Sequence, residues 1–166
     1  MTKKMEKVQY NKMQVIALDK GDGTQAFSIV EDGMVGSVLT VKQPYASMLV
    51  YGTKKFEYRG WKLPEDMIGE IIYIHAGMQV MKEKVNVSDE LYERTLEDVE
   101  RENLYGCIVG CVVFGEPEKT ANGYAWPVKS FSKLNEPIRN VKGYLGIWKF
   151  MVEKTKSKSY DCKNRK

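Results

Sequence analysis

Residues 38–61 read VLTVKQPYASMLVYGTKKFEYRGW, and the order of residue types in this stretch sets the architecture. The apolar, β-branched opening suits a strand. Pro44 follows where a helix would begin, since its missing N–H is unpaired in a first turn anyway, and Gly52 supplies the left-handed conformation that closes one. A short buried helix is expected between them. KKFEYRGW (54–61) then reads as a second strand.

Outward from this unit, Pro64, Glu65 and Asp66 make a turn, and GEIIYIH (69–75) is a strongly apolar strand ending at Ala76 and Gly77. Ser88 has the side-chain oxygen to cap a helix, with Asp89 and Glu90 in its first turn, where negative charge meets the positive helix end. Leu91, Thr95 and Val99, with Tyr92 and Leu96 beside them, continue a helical stripe to Asn103. YGCIVGCVVFG (105–115) is a second long apolar strand, whose Gly110 marks a bulge or a close approach of another backbone. AWPVKSF (125–131) reads as a strand placed near an edge by Pro127, and KGYLGIWKFMV (142–152) as the closing strand. On the other side, MQVIAL (13–18) and TQAFSIV (24–30) flank the glycine-bearing DKGDG and form a leading hairpin. The sum is an α+β fold: a mixed, curled sheet or small barrel with a short and a longer helix, preceded by a β-hairpin. The expected division is an extension with the hairpin (1–34), the main domain (35–150) and a basic, disordered tail (151–166).

With 166 residues, 43% hydrophobic and 29% charged, the chain has enough apolar surface for one core without disulfides or a structural metal. No apolar run reaches the roughly 20 residues that span a bilayer, and residues 1–12 lack the apolar centre of a signal peptide, so a cytoplasmic protein with no membrane partner is expected. The net charge of +4 is carried by the ends: residues 149–166 hold seven basic against two acidic side chains and residues 1–12 hold four against one, so the remaining body is mildly acidic. A basic groove, if present, has to be a local arrangement. Cys107 and Cys111 lie about 13 Å apart on one face of a regular strand, too far for a disulfide, and read as buried thiols. No metal site and no cofactor is expected, and the oligomeric state is not legible.

The blocks VLTVKQPYASMLVYGTKKFEYRGW (38–61), IIYIHAG (71–77), GCIVGCVVFGE (106–116), GYAWPVKSFSKLNEPI (123–138) and VKGYLGIWKF (141–150) resemble, in order, those of the ASCH domain, a relative of the PUA RNA-binding domain. Gly52, Lys54 and Glu57 fit its Gly-x-Lys-x-x-Glu motif. The resemblance implies a PUA-like mixed β-barrel with a cleft beside that motif, commonly proposed to bind RNA, with enzymatic activity on RNA or modified nucleosides in some relatives.

Lys54 can hold a phosphate or polarise a carbonyl, and Glu57 can accept a proton or a base N–H. On a regular strand residues three apart face opposite sides, so a shared site requires Lys54 to lie in the turn after Gly52, or a bulge to reset the alternation. Alternatively Lys54 meets the carboxyl end of the preceding helix and Glu57 pairs with Arg59 on the same face. Arg59 and Trp61 can offer a cation and a stacking plane. Gln43 either contacts ligand or caps the helix, whose first N–H groups form a potential anion site, and Tyr45 either lines the cleft or packs in the core. His75 ends a buried strand, as a general base facing the cleft or as a hydrogen-bonded structural residue. Trp126 and Trp148 read as core.

Two functions follow. The first is a binding module for RNA or a nucleotide, with Lys54 and Arg59 on phosphate or base edge and Tyr45 or Trp61 stacking. The second is a small hydrolase acting on RNA or a modified nucleoside, with Lys54 and Glu57 catalytic. Some similar compact domains deacetylate N4-acetylcytidine with a lysine and a threonine three residues later, and Glu57 stands where that hydroxyl would be.

Overall fold

The computed structural model describes residues 5–10, 14–19, 25–30 and 32–153. In chain order its strands are β1 (Met5–Gln9), β2 (Gln14–Asp19), β3 (Gln25–Val30), β4 (Val35–Gln43), β5 (Phe56–Arg59), β6 (Ile71–Val80), β7 (Cys107–Phe114), β8 (Glu118–Thr120), β9 (Gly123–Ile138) and β10 (Ile147–Glu153). Helix α1 (Tyr45–Tyr51) joins β4 to β5, and α2 (Asp89–Glu102) joins β6 to β7. The main sheet runs β1-β10-β4-β6-β7-β9-β5, with β8 attached to β9. The β1/β10 and β4/β6 pairs are parallel and the remaining pairs antiparallel, so the sheet is mixed and curls into a half-barrel. This is the α+β architecture of a mixed, curled sheet with a short and a longer helix expected from the sequence.

Two apolar clusters cover the two faces of the sheet, and strand alternation sorts side chains between them. In β6, Ile72, Ile74 and Ala76 join α1 and α2 in one cluster, while Tyr73 joins Trp148 and Phe150 in the other. β7 is buried throughout, which accounts for its unbroken apolar run. Its alternation changes phase at Gly110: Cys107 and Val109 face the helices, as do Val112 and Phe114 beyond it, whereas Ile108, Cys111 and Val113 face the other cluster. The β6/β7 and β7/β9 registers both slip here, the signature of a bulge. A side chain at Gly110 would place its Cβ 2.2 Å from the Ser132 carbonyl oxygen, so both roles foreseen for this glycine are met. The bulge also puts Cys107 and Cys111 in different clusters, not on one face as a regular strand would.

α2 begins as its sequence requires, with Ser88 Oγ accepting from Leu91 N–H at 3.2 Å. It buries Tyr92, Thr95 and Val99 and ends at Asn103 in the left-handed conformation (φ 51°). Trp126 and Trp148 are core residues. The leading hairpin is present as antiparallel β2 and β3, with β2 beside β9; of the expected disordered tail (151–166), residues 151–153 belong instead to β10, and residues 154–166, like the turn residues 20–24, lie outside the described residues.

The structure departs from the sequence reading at several elements. Strand β1 was not legible in polar MEKVQ; it bonds to β10 at the sheet edge and buries only Val8, so it carries no alternating pattern. β9 is not an edge strand. Pro127 sits where β9 passes from pairing with β5 to pairing with β7, and the hydrogen bonds there use its carbonyl, which accepts from Gly115 N–H, and the N–H of Val128, so its missing donor costs nothing. The closing strand starts at Ile147, not residue 142, because Gly146 (φ 70°) adopts a left-handed conformation that breaks extension just before it. The second strand likewise spans only Phe56–Arg59, leaving Lys54 before it. No helix among the described residues is long and apolar enough to cross a membrane.

Candidate functional site

The turn after α1 explains how Lys54 and Glu57 meet. Gly52 (φ 79°) closes the helix, and the N–H groups of Thr53 and Lys54 both return to the Met48 carbonyl, at 3.0 and 3.2 Å. Lys54 therefore leaves from a turn, and the pleat begins only at Phe56. Its Nζ lies 3.8 Å from Glu57 Oε1, and the side chains are 11% and 7% exposed. Arg59, two residues further along β5, donates through Nε to Glu57 Oε2 at 2.8 Å and through Nη2 to the Thr40 carbonyl at 2.8 Å. The pairing of Glu57 with Arg59 and the convergence of Glu57 with Lys54 thus coexist. The carboxyl end of α1 is met by Lys55, whose Nζ donates to the Gly52 carbonyl at 2.9 Å.

Lys54 Nζ also donates to the Phe56 carbonyl and stands over two aromatic faces, Tyr58 at 4.8 Å and Tyr45 at 5.3 Å from the ring centroids. Burial lowers its pKa from the usual ammonium value; the Glu57 carboxylate opposes this shift and the Arg59 cation adds to it. Tyr45 is fixed by its hydroxyl, which donates to the Glu83 carbonyl and accepts from Val85 N–H at 2.9 Å.

These groups line one side of a cleft of roughly 1380 Å³. β4 contributes Thr40 and Lys42, and β6 contributes His75 and then Gly77, Met78 and Gln79. The last three are set out from the β4/β6 ladder, whose register skips between Val41/Ala76 and Gln43/Val80. The opposite rim is an irregular strap, residues 139–146, in which every residue from Asn140 to Gly146 faces the cleft. The lining cations are Lys42, Lys54, Arg59 and Lys142, against the carboxylates Glu57 and Glu83. The mildly acidic body therefore carries a locally cationic cavity.

The partners of His75 set its neutral tautomer. Thr40 Oγ1 accepts from Trp148 Nε1 at 3.1 Å and lies 3.2 Å from His75 Nδ1, to which its hydroxyl donates in the neutral ring. The Val141 carbonyl, 2.7 Å from Nε2, can only accept, which places the His75 proton on Nε2. Burial lowers the His75 pKa, with the Val141 bond opposing the shift. Both ring nitrogens are occupied within the fold, so this residue joins β6 to β4 and the strap and has no lone pair open to a substrate.

Of the expected site residues, Tyr45, Lys54, Glu57, Arg59 and His75 line the cleft. Gln43, Gly52 and Trp61 do not. The Gln43 amide is wholly buried, bonding to Ser47 N–H, Ser47 Oγ and the Leu104 carbonyl, and this use of the Ser47 N–H removes the open anion site expected at the helix start. Gly52 shapes the turn, and a Cβ there would lie 2.1 Å from the Phe131 ring. Trp61 packs edge-on against Trp126, with centroids 4.9 Å apart. Tyr58, Tyr105 and Tyr144 supply aromatic lining that the sequence reading missed. For Tyr58 the signal was present in its place between Glu57 and Arg59; for the other two nothing local marked them.

A curled mixed sheet with a cleft between the α1 turn and a strap defines a PUA-like domain. The ASCH domain family matches residues 39–155, and the chain belongs to that family. ASCH domains are PUA-like modules often linked to RNA binding. No curated protein matches the chain.

Proposed function

We propose that the cleft binds single-stranded RNA or a nucleotide, with one base inside and its phosphates at the rim. The observation that carries this reading is the convergence of Lys54 and Glu57, 3.8 Å apart, on an aromatic-walled cavity. A base edge that pairs an acceptor with an N–H donor matches an ammonium beside a carboxylate. Tyr45 and Tyr58 provide apolar faces, and base–aromatic stacking is worth about 1–3 kcal/mol per base. Lys42 and Lys142, which line the cleft, supply the cations for the phosphates. The basic segment after residue 153 adds salt-sensitive, sequence-independent affinity.

The test is fluorescence anisotropy with a labelled RNA octamer against wild type, Lys54→Met, Lys42→Ala with Lys142→Ala, and a chain ending at Glu153. Lys54→Met is expected to weaken binding about tenfold. The rim pair and the truncation should each reduce the salt slope. Wild-type affinity unchanged in all three variants would reject the reading.

A second reading, hydrolysis of RNA or a modified nucleoside, is favoured by one observation: burial lowers the pKa of the Lys54 amine beside a carboxylate, as acid–base chemistry would use. Incubation with N4-acetylcytidine and short RNAs, comparing wild type with Lys54→Met and Glu57→Gln, decides it. Turnover lost in both variants would replace the binding module with an enzyme.

A further inference from the structure

The strap at residues 139–146 forms one rim of the cleft yet lies outside the strands of the sheet. Left-handed residues stand near both ends, Asn140 and Gly146, and its tip, Leu145, is fully exposed. Of its apolar side chains only Val141 is buried, so the segment takes its position largely from ties to its surroundings. The first half has two. Val141 N–H donates to the Gly106 carbonyl at 2.9 Å, and the Val141 carbonyl accepts from His75 Nε2 at 2.7 Å. Gly143 then packs so closely that a Cβ would lie 2.8 Å from His75 Cε1.

The second half is tied from another direction. The Tyr144 ring meets Trp148 edge-on, with centroids 5.4 Å apart, and its hydroxyl donates to Glu6 Oε2 at 3.0 Å. Glu6 belongs to β1, which is seated by parallel pairing with β10 and by the buried Val8. Lys142 lies over the Tyr144 ring, its Nζ 5.7 Å from the centroid, so placing the tyrosine also places a rim cation.

We propose that β1, which precedes the matched family region, is a working part of the cleft: Glu6 and Tyr144 are positioning residues that hold the strap, and with it Lys142, at the ligand rim. The ligand half of this proposal rests on the RNA-binding reading above; the tie itself does not. The Glu6 carboxylate, which favours the protonated phenol it binds, also raises the Tyr144 pKa.

The experiment uses the full chain with Glu6→Gln, Tyr144→Phe and the double variant. Backbone 15N relaxation across residues 142–146 is the first readout. Wild type should lie near the rigid-backbone order parameter of about 0.85, and each variant should fall below it, the double no further than the singles because one bond is removed. The Tyr144 phenol should titrate lower in Glu6→Gln than in wild type. Affinity for the labelled RNA octamer is the second readout, expected to weaken about fivefold in each variant with little further change in the double. Order parameters equal to wild type in both single variants would overturn the tie, whatever the RNA result. A loosened strap with unchanged RNA affinity would overturn the positioning role. A loosened strap in a protein whose wild type binds no RNA would overturn the RNA reading and support the tie.

Discussion

Glu57 stands between two cations of its own strand and turn, 2.8 Å from Arg59 Nε through one oxygen and 3.8 Å from Lys54 Nζ through the other. The two cations differ in their contacts. Arg59 spans from Glu57 to the Thr40 carbonyl and so joins β5 to β4 beside the cleft. Lys54 bonds only to the Phe56 carbonyl and to Glu57 among its described polar contacts, between two aromatic rings. Removing the carboxylate and removing the amine should therefore have unequal effects.

Glu57→Gln leaves two buried or half-buried cations without their shared counter-charge, and breaking such a pair from the acidic side costs about 3 kcal/mol. Lys54→Met leaves Glu57 still paired with Arg59 and keeps the aliphatic stem against the tyrosines, so it should cost under about 1 kcal/mol. In the double variant the loss should be smaller than the sum, because one of the stranded cations is gone. Urea unfolding of the four proteins checks this, and equal losses from the two single variants would contradict the geometry.

His75 makes stability depend on pH. Its folded-state pKa is lowered by burial, so as pH falls through the unfolded-state value near 6.5 the unfolded chain takes up a proton before the folded one does. The contribution of this residue is thus complete above that value, declines as pH falls below it, and levels off once the folded pKa is passed. The melting temperature of wild type should drop between pH 7 and 5 more steeply than that of His75→Gln, although the variant starts lower for losing the Val141 and Thr40 bonds. Parallel curves for the two would show that His75 is not the group responsible.

Much of this was legible because it is local. The Ser88 cap, the buried strands β6 and β7 and the glycine at the bulge are each declared by residues within a few positions of where they act. The Lys54–Glu57 convergence was half legible: the requirement for a turn after Gly52 follows from strand alternation, but only the Met48 hydrogen bonds show that it is met. What the sequence did not disclose is assembled across long separations. Tyr144 reaches the cleft because Gly146 turns the chain, and it is held by a glutamate 138 positions away. Trp61, two residues from Arg59, reads from the sequence as a stacking plane, whereas in the fold it packs on Trp126 and it is Tyr58 that faces the amine.

Glycines separate backbone conformation from close packing. At Gly52 a Cβ meets the rim of the half-exposed Phe131 ring, which can swing aside, so Gly52→Ala is opposed chiefly by the left-handed φ of 79° and should cost about 1–2 kcal/mol. At Gly110 the obstacle is the Ser132 carbonyl oxygen at 2.2 Å, part of the β7/β9 ladder, with Val50 at 2.9 Å on the helix side. Neither can move without disturbing the sheet, so Gly110→Ala should cost about 3 kcal/mol or prevent folding. Denaturant midpoints for the two variants give the order directly, and a milder effect at Gly110 than at Gly52 would be inconsistent with this packing.

The same bulge governs the two described thiols. Cys107 and Cys111 are both wholly buried, and burial pushes their pKa values up to about 11 and about 12. Thiolate is then scarce at neutral pH even if a reagent could reach the sulfur. Because the phase change at Gly110 sends one into the helix-side cluster and the other into the opposite cluster, their exposure requires opening of different parts of the core. Iodoacetamide at pH 8 should leave both unmodified in the native protein and label both in urea, as read by peptide mass spectrometry. With sub-denaturing urea, Lys54→Met and Glu57→Gln should raise labelling in proportion to their loss of global stability, because neither cysteine has a local route to solvent. Rapid labelling of Cys107 alone in the native wild type would show that the α2 side of the core opens independently of the sheet.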